Sequence, residues 1–436
     1  MKSDRGINTM RGFIGTVAIL CVVMLSGCAT SVLTAPCQSP NVSSSALPVV
    51  YMVVVPYVGN SETELSQAHE KAAQTVTESA GLQALRMASD TTDMHVTLLY
   101  QDDARCEIEQ IYQKFTEEKG RLNRKLLSTV VFFWGEVYEI QGSLQIQSHL
   151  RILWKDNDDQ FVNVYVQQPE NAPPLKFAGY LPYSTISFPP RQLLVNDGAG
   201  LTRDPRLKFV ARSARRDDAE EVPLPSRFSI VERSGKWVEI QGRDDKRSAW
   251  ISVQDGGAGI MQLLPELSFA NAVASYISYG KNYDEDAFKN TRKWLDEFKS
   301  GAQENVDSRE LIRPSAVAEA IEGALYLRAI APRTGYRDRA RLLLDKAATS
   351  LSTNSAVLNL AAVSEMDVCC SNQRISTRIH RRMQLAYELD AGNKTIARNL
   401  LNWYRLLETK PREVWPEGVS NVQQPARELA QLLGER

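Results

Sequence analysis

Three rhythms of apolar and polar residues succeed one another along this chain, and each predicts a different architecture. Val49 to Val55 is a continuous apolar run closed by Pro56, as expected of a buried strand. Ser61 can cap a helix whose apolar positions Leu65, Ala68, Ala72, Val76 and Ala80 recur at the helical period, with Gly81 at its end. Val96 to Tyr100 predicts a second strand. Asp102 or Asp103 then caps a second helix carrying Ile108, Ile111, Tyr112 and Phe115 on one face. Val130 to Ile140 leads across Gln141-Gly142 into a period-two stretch. There Leu144, Ile146, Leu150, Ile152 and Trp154 face one way, while Gln145, Gln147, His149 and Arg151 face the other. Phe161 to Val166, after the turn Asn157-Asp158-Asp159, is expected to extend this meander as a further hairpin. Residues 47–167 therefore predict an α/β sandwich with helices on one face of a mixed sheet.

The second rhythm is shorter. Residues 168–206, with Pro173, Pro174, Pro182, Pro189 and Pro190, predict an irregular connection with short strands at most. Within 207–255, Phe228 to Ile240 reads as a strand, a Ser234-Gly235 turn and a second strand, and Ser248 to Val253 supplies a third after the polar turn Gly242 to Arg247. The charged stretch Ala211 to Glu221 forms a large loop before them. Past Gly256-Gly257 the period becomes helical. Over 262–436 helices are predicted beginning around Phe269 and Phe288, then at Ala316–Ile330, Tyr336–Leu351, Ser355–Ser364, Ser376–Leu389 and Thr395–Leu407. Ala348, Leu351, Asn354 and Asn359-Leu360 are echoed 38 to 40 residues later by Ala386, Leu389, Asn393 and Asn399-Leu400. Either stacked helical hairpins or an irregular bundle would satisfy this pattern. The fold class expected is multidomain α+β.

The amino end follows a different logic. Lys2, Arg5 and Arg11 precede an apolar segment from Phe13 to Leu25 that ends in Leu25-Ser26-Gly27-Cys28. The segment is shorter than the about 20 apolar residues of a membrane-spanning helix. The ending resembles a bacterial lipobox. That resemblance implies a signal peptide over 1–27, a lipidated Cys28 as the membrane contact, and placement at the outer membrane, since Ala29 stands where inner-membrane lipoproteins often carry Asp. Residues 28–46, rich in Ser, Pro, Thr and Asn, read as a tether.

Two further resemblances concern the body. The strand, Ser-Gly turn, Trp-bearing strand and Ala249-Trp250-Ile251-Ser252 resemble the bacterial SH3-like barrel of cell-envelope proteins, with Ala249 in place of the family's usual glycine. In that family the positions of Trp237 and Trp250 belong to a peptide-binding surface; core packing is the alternative for at least one of them. The element order of 47–167 resembles the amino-terminal α/β domains of envelope proteins such as the periplasmic propeller component of the Tol system, which implies either partner binding or a spacer. The helical echo resembles tetratricopeptide repeats, whose period is about 34 residues.

Composition adds little chemistry. With 51 Lys and Arg against 52 Asp and Glu, the near-neutral balance gives no reason to expect a nucleic-acid partner. Cys37 and Cys106 are a candidate disulfide in an oxidising compartment. Cys369-Cys370 could bridge each other, pair elsewhere, or remain buried thiols. The four histidines (His69, His95, His149 and His380) are scattered and no Cys-x-x-Cys is present, so neither a metal nor a cofactor is expected. His69-Glu70 lacks the second histidine of a zinc protease, and neither Gly198-Ala199-Gly200 nor Gly257-Ala258-Gly259 completes a dinucleotide loop. No catalytic residue stands out. The expectation is a non-enzymatic envelope scaffold that docks proteins or peptidoglycan. The alternatives are a cell-wall enzyme or its activator, and an accessory lipoprotein of a secretion or surface-assembly machine.

Overall fold

The first strand, Val50–Val54 (β1), is buried at every position and has a partner on each edge. Met94–Leu98 (β3) and Thr129–Ile140 (β4) run parallel to it, with Met52 opposite both Val96 and Val131. A central strand of this kind has no solvent face, which is why its sequence is apolar without alternation. The computed structural model describes residues 50–59, helical positions between 72 and 87, 94–98, 129–140, 143–154, 161–169, 172–181, 185–192, 210–223, 228–234, 236–242, 246–252, 264–302, 312–329 and 335–435. All of these belong to one unit formed by 40–100 and 122–436. Cys28, Cys37 and Cys106, the tether and the helix expected after Asp103 lie outside the described residues.

The mixed sheet continues from β4 into Ser143–Leu153 (β5), antiparallel along eleven residue pairs. Ile146, Leu150 and Ile152 are buried, as the period-two pattern requires. Val58–Gly59 (β2) adds to β4. Gly135 lets β4 pass beneath Tyr57: a β-carbon there would meet the Tyr57 ring at 2.2 Å. Tyr57 OH in turn shares a 2.8 Å hydrogen bond with Ser148 Oγ, and its backbone N–H donates to Thr77 Oγ1 at 2.8 Å. Ala72, Val76 and Ala80 are helical and buried as predicted, but the helix does not stop at Gly81. Gln83, Ala84 and Met87 remain helical. The cost of an interior glycine, about 1 kcal/mol, is offset by burying Ala84 and Met87.

The meander also departs from expectation. Phe161–Val166 (β6) does not extend the sheet. It pairs with Leu175–Tyr180 (β7), a six-residue strand inside the connection expected to be irregular, and the two form a separate ribbon. The chain then returns to β5 through Thr185–Ser187 (β8) and Arg191–Gln192 (β9). Pro174 and Pro182 lie outside β7, where a missing N–H breaks no ladder bond.

Ala211–Arg212 (β10), Glu221–Val222 (β11), Phe228–Ser234 (β12), Trp237–Gly242 (β13) and Ser248–Ser252 (β14) form a five-stranded sheet ordered β11-β10-β14-β13-β12. Among the described residues its two end strands are not joined, so the small barrel expected here is an open sheet. Phe228, Val238, Ile240, Ala249 and Ile251 form its buried face.

Eight α-helices follow among the described residues. Pro265–Asn282 (α1), Glu285–Ala302 (α2), Ile312–Arg328 (α3), Tyr336–Ser350 (α4), Ser355–Ser364 (α5), Gln373–Leu389 (α6), Lys394–Glu408 (α7) and Gln423–Leu432 (α8) pack as successive pairs. The helix α8 lies beyond the last one expected from the pattern, and it carries Pro425 in its first turn. Proline is tolerated in a first helical turn, where its missing N–H would have no partner in any case. The first helix of each pair faces the strands: α1 packs on β1 and β4, α3 on β6, and α5 and α7 on β7. The mixed sheet is bound to α1 by Arg191 and Glu266, a buried two-point ion pair at 2.6 and 2.8 Å. Phe188, Phe269 and Phe298 meet edge to face beside it, with ring centroids 5.1–5.9 Å apart.

Candidate functional site

The ribbon rests on α5 and α7, and its position follows from an electrostatic requirement. The outer edge of β7 presents free backbone N–H and C=O groups to the protein interior, where each must find a partner. Three asparagine side chains supply them. Asn399 Nδ2 donates to Ala178 O at 2.7 Å, while Ala178 N donates back to Asn399 Oδ1 at 2.9 Å. Asn359 Nδ2 donates to the same carbonyl at 3.0 Å, and its Oδ1 accepts from Asn399 Nδ2 at 2.8 Å. Asn402 Nδ2 donates to Lys176 O at 2.9 Å. An amide side chain carries both a donor and an acceptor, so Asn399 pairs with one residue of β7 as a neighbouring strand would.

Local sequence sets this register. Asn354 caps α5 by accepting from Val357 N at 3.0 Å, and Asn393 caps α7 by accepting from Thr395 N at 3.1 Å. With the start of each helix fixed, Asn359 and Asn399 fall on the faces toward β7. Gly179 permits the close approach: a β-carbon there would lie 2.4 Å from Leu360 Cδ1. Asn393 Nδ2 also donates to Tyr180 OH at 2.8 Å. Burial foremost pushes the Tyr180 phenol up to about 12, so it stays protonated. Phe177 is fully buried against the second apolar cluster of the chain, which Trp403, Met383 and Leu400 help to form.

The other strand of the ribbon is open. Among the described residues β6 pairs only with β7. Asn163 and Tyr165 on β6 are exposed, whereas Val164 and Val166 pack on the second cluster. Arg328 Nη2 donates to Phe161 O at 3.0 Å and anchors the start of the strand to α3.

The two tryptophans singled out by resemblance come together on the small sheet. The β13–β14 register sets Trp237 opposite Ser252 and Glu239 opposite Trp250, so all four side chains share the face away from Val238 and Ile251. Trp237 is buried and Trp250 half-buried. The loop 213–220 folds over them. The Arg215 guanidinium lies 5.8 Å from the Trp250 ring centre, and Lys236, which holds Asp217 at 2.8 Å, lies 5.3 Å from that of Trp237. Arg212 Nη1 closes the loop by donating to Ala219 O at 3.0 Å. Trp237 thus has a packing role, and Trp250 offers one partly open ring beside a cation.

Sequence reasoning registered Asn359 and Asn399 as an echo and missed their task. The signal was there: an asparagine directly before a leucine at the equivalent place on the buried faces of two helices. Cys369 and Cys370 are free thiols, each half-buried. No group of three or more His, Cys, Asp or Glu side chains among the described residues could hold a metal ion. No helix among them is long and apolar enough to cross a membrane. No family model matches the chain, and neither a curated protein nor a solved structure matches it.

Proposed function

We propose that this chain is a lipid-anchored binding protein of the bacterial cell envelope, tethered at the outer membrane through Cys28 and docking protein partners on its periplasmic body. The observation that carries this reading is the ribbon. Helices α5 and α7 hold an extended backbone through side-chain amides, and among the described residues no strand pairs with the outer edge of β6, where Arg328 takes only the Phe161 carbonyl at its start. An edge of this kind recruits an extended partner segment by strand addition, with main-chain hydrogen bonds for affinity and the flanking side chains for selectivity. The helical pairs are read as tetratricopeptide-like hairpins, and the structure is used as a scaffold rather than a reaction centre.

The test is capture from intact envelopes. A photoreactive residue in place of exposed Tyr165 is expected to cross-link a defined envelope protein, while the same residue at exposed Leu342 on α4 does not. Equal labelling from both positions, or none from Tyr165, overturns the reading. For the anchor, a Cys28→Ser chain is expected to leave the membrane fraction; normal fractionation and processing would refute lipidation.

Trp250 favours a second reading. A half-buried indole with Arg215 over it suits a short acidic peptide such as a cell-wall stem peptide, in keeping with the resemblance of the small sheet to SH3-like barrels. Co-sedimentation with purified peptidoglycan that is lost in Trp250→Ala supports it, and retention in that variant removes it.

A further inference from the structure

The joint between α5 and α6 carries two adjacent cysteines whose sulfurs lie 3.2 Å apart. Chain neighbours do not ordinarily meet in this way, since successive side chains of an extended backbone point to opposite sides. Cys370 makes the exception: its φ of 63° places a residue with a β-carbon in the left-handed region. Such a conformation persists where the surroundings fix it, and both ends of the joint are fixed. At the start, Glu365 is buried and gripped by Arg378 and Arg382. Val368 N then donates to Glu365 O at 3.1 Å, and Cys369 N to Met366 O at 3.4 Å. At the end, Asn372 caps α6 by accepting from Ile375 N at 3.0 Å. The sulfurs rest on the second apolar cluster yet keep partial exposure, and Asp367 and Ser371 beside them are exposed.

The pair is chemically unequal. Cys370 is held below the ordinary thiol range, first by its hydrogen bond with Cys369 and further by the Lys410 charge, against the effect of burial. Cys369 is held above that range, first by the same hydrogen bond and then by burial. The sulfur that ionises more readily precedes the amino end of α6, whose dipole favours a thiolate.

We propose that Cys369 and Cys370 form a dithiol site that exchanges with low-molecular-weight disulfides, Cys370 attacking and Cys369 resolving. In the first step the Cys370 thiolate attacks one sulfur of a disulfide R–S–S–R. A Cys370–S–R bond forms, the S–S bond of the reagent breaks, and the released thiolate takes a proton from solvent. In the second step Cys369 gives its proton to solvent and attacks Cys370 Sγ. A Cys369–Cys370 bond forms and the second R–S⁻ leaves, to be protonated in turn. Two protein thiols are oxidised by two electrons and one external disulfide is reduced to two thiols. The closed form is not a structural staple. Neighbouring Cα atoms lie about 3.8 Å apart across a trans peptide, below the about 4.4 Å lower limit of ordinary disulfides. The bridge is therefore strained and readily reduced again, as suits a reversible site. The small size of the substrate follows from the half-buried position of both sulfurs.

Mass spectrometry on the whole chain tests this. Cleavage after Lys346 and Arg374 releases a peptide, residues 347–374, in which Cys369 and Cys370 are the only cysteines. The folded, reduced protein is incubated with oxidised glutathione and quenched with an alkylating agent. The expected peptide has lost two hydrogens, carries no glutathione and is not alkylated; added dithiothreitol restores both thiols. In Cys369→Ser the glutathione is expected to remain on Cys370, and in Cys370→Ser adduct formation is expected to slow by about tenfold. A wild-type peptide that stays doubly alkylated, or one that accumulates the mixed disulfide without closing, overturns the proposal. So does closure seen only in denaturant. A denatured disulfide-bonded protein in place of glutathione is expected to react about tenfold more slowly; equal rates overturn the assignment to small disulfides.

Discussion

Asn359 and Asn399, 40 positions apart on different helices, donate to one carbonyl oxygen, that of Ala178. Their contributions are unequal. Asn399 alone also accepts from Ala178 N, so its removal orphans a part-buried donor, while removal of Asn359 leaves that carbonyl a second partner. Asn399→Ala is expected to destabilise the fold by about 2–4 kcal/mol and Asn359→Ala by about 1 kcal/mol. Urea denaturation of the two variants checks the order. Equal losses would show that the amides fill space rather than pair the edge of β7.

Gly179 tests the same contact sterically. A β-carbon there lies 2.4 Å from Leu360 Cδ1, so Gly179→Ala is expected to cost about 1–3 kcal/mol by overpacking. Combined with Leu360→Ala, the space reopens, and the double variant is expected to be more stable than the sum of the two single losses implies. Strict additivity in a thermal denaturation cycle would contradict the packing described for the ribbon.

Arg191 and Glu266 are both almost completely buried. Breaking the pair from one side leaves a charge without a partner, so Glu266→Gln is expected to destabilise by about 3–5 kcal/mol. Replacing both members with apolar residues, Arg191→Met with Glu266→Leu, is expected to cost less than that single change. Midpoints in guanidinium chloride compare them directly.

His380 lies against Tyr404, and burial holds its imidazole below the usual value of 6.5. The folded protein therefore prefers the neutral ring. Above pH 6.5 both folded and unfolded chains carry it neutral, and the preference is fully expressed. As pH falls from there, the unfolded chain gains the proton first and stability declines, until the folded pKa is passed and this contribution levels off. His380→Phe is expected to flatten that part of the profile; an unchanged slope between pH 6.5 and 5 would assign the acid sensitivity elsewhere.

The elements whose burial is local were legible from the sequence. Val50 to Val54 reads as a central strand because both its faces are apolar, and Ile146, Leu150 and Ile152 show their alternation directly. The helices from Pro265 to Glu408 were recognisable for the same reason, with Asn354 and Asn393 marking two of their starts. What stayed hidden depends on pairing over long separations. Nothing in Phe161–Val166 says that it leaves the sheet, since a strand on a ribbon and a strand on a sheet carry the same alternation. The proline-rich flanks of Leu175–Tyr180 concealed a strand, because its outer edge is satisfied by side chains rather than by another strand. The candidate site was half visible. The asparagine echo could be counted, but its meaning requires Ala178 beside it. The proximity of Cys369 and Cys370 depends on one left-handed residue that no periodicity reveals.

The ribbon also sets a timetable. Its partners arrive late, for Asn359 lies 181 residues beyond Ala178 and Asn399 lies 221. During synthesis from the amino end, β7 exists long before the helices that receive it. Contacts of such separation slow folding, and an unpaired strand edge invites association in the interval. Until α5 and α7 form, this chain must keep a strand waiting, and a chaperone that shields residues 161–180 would shorten the period in which it can aggregate.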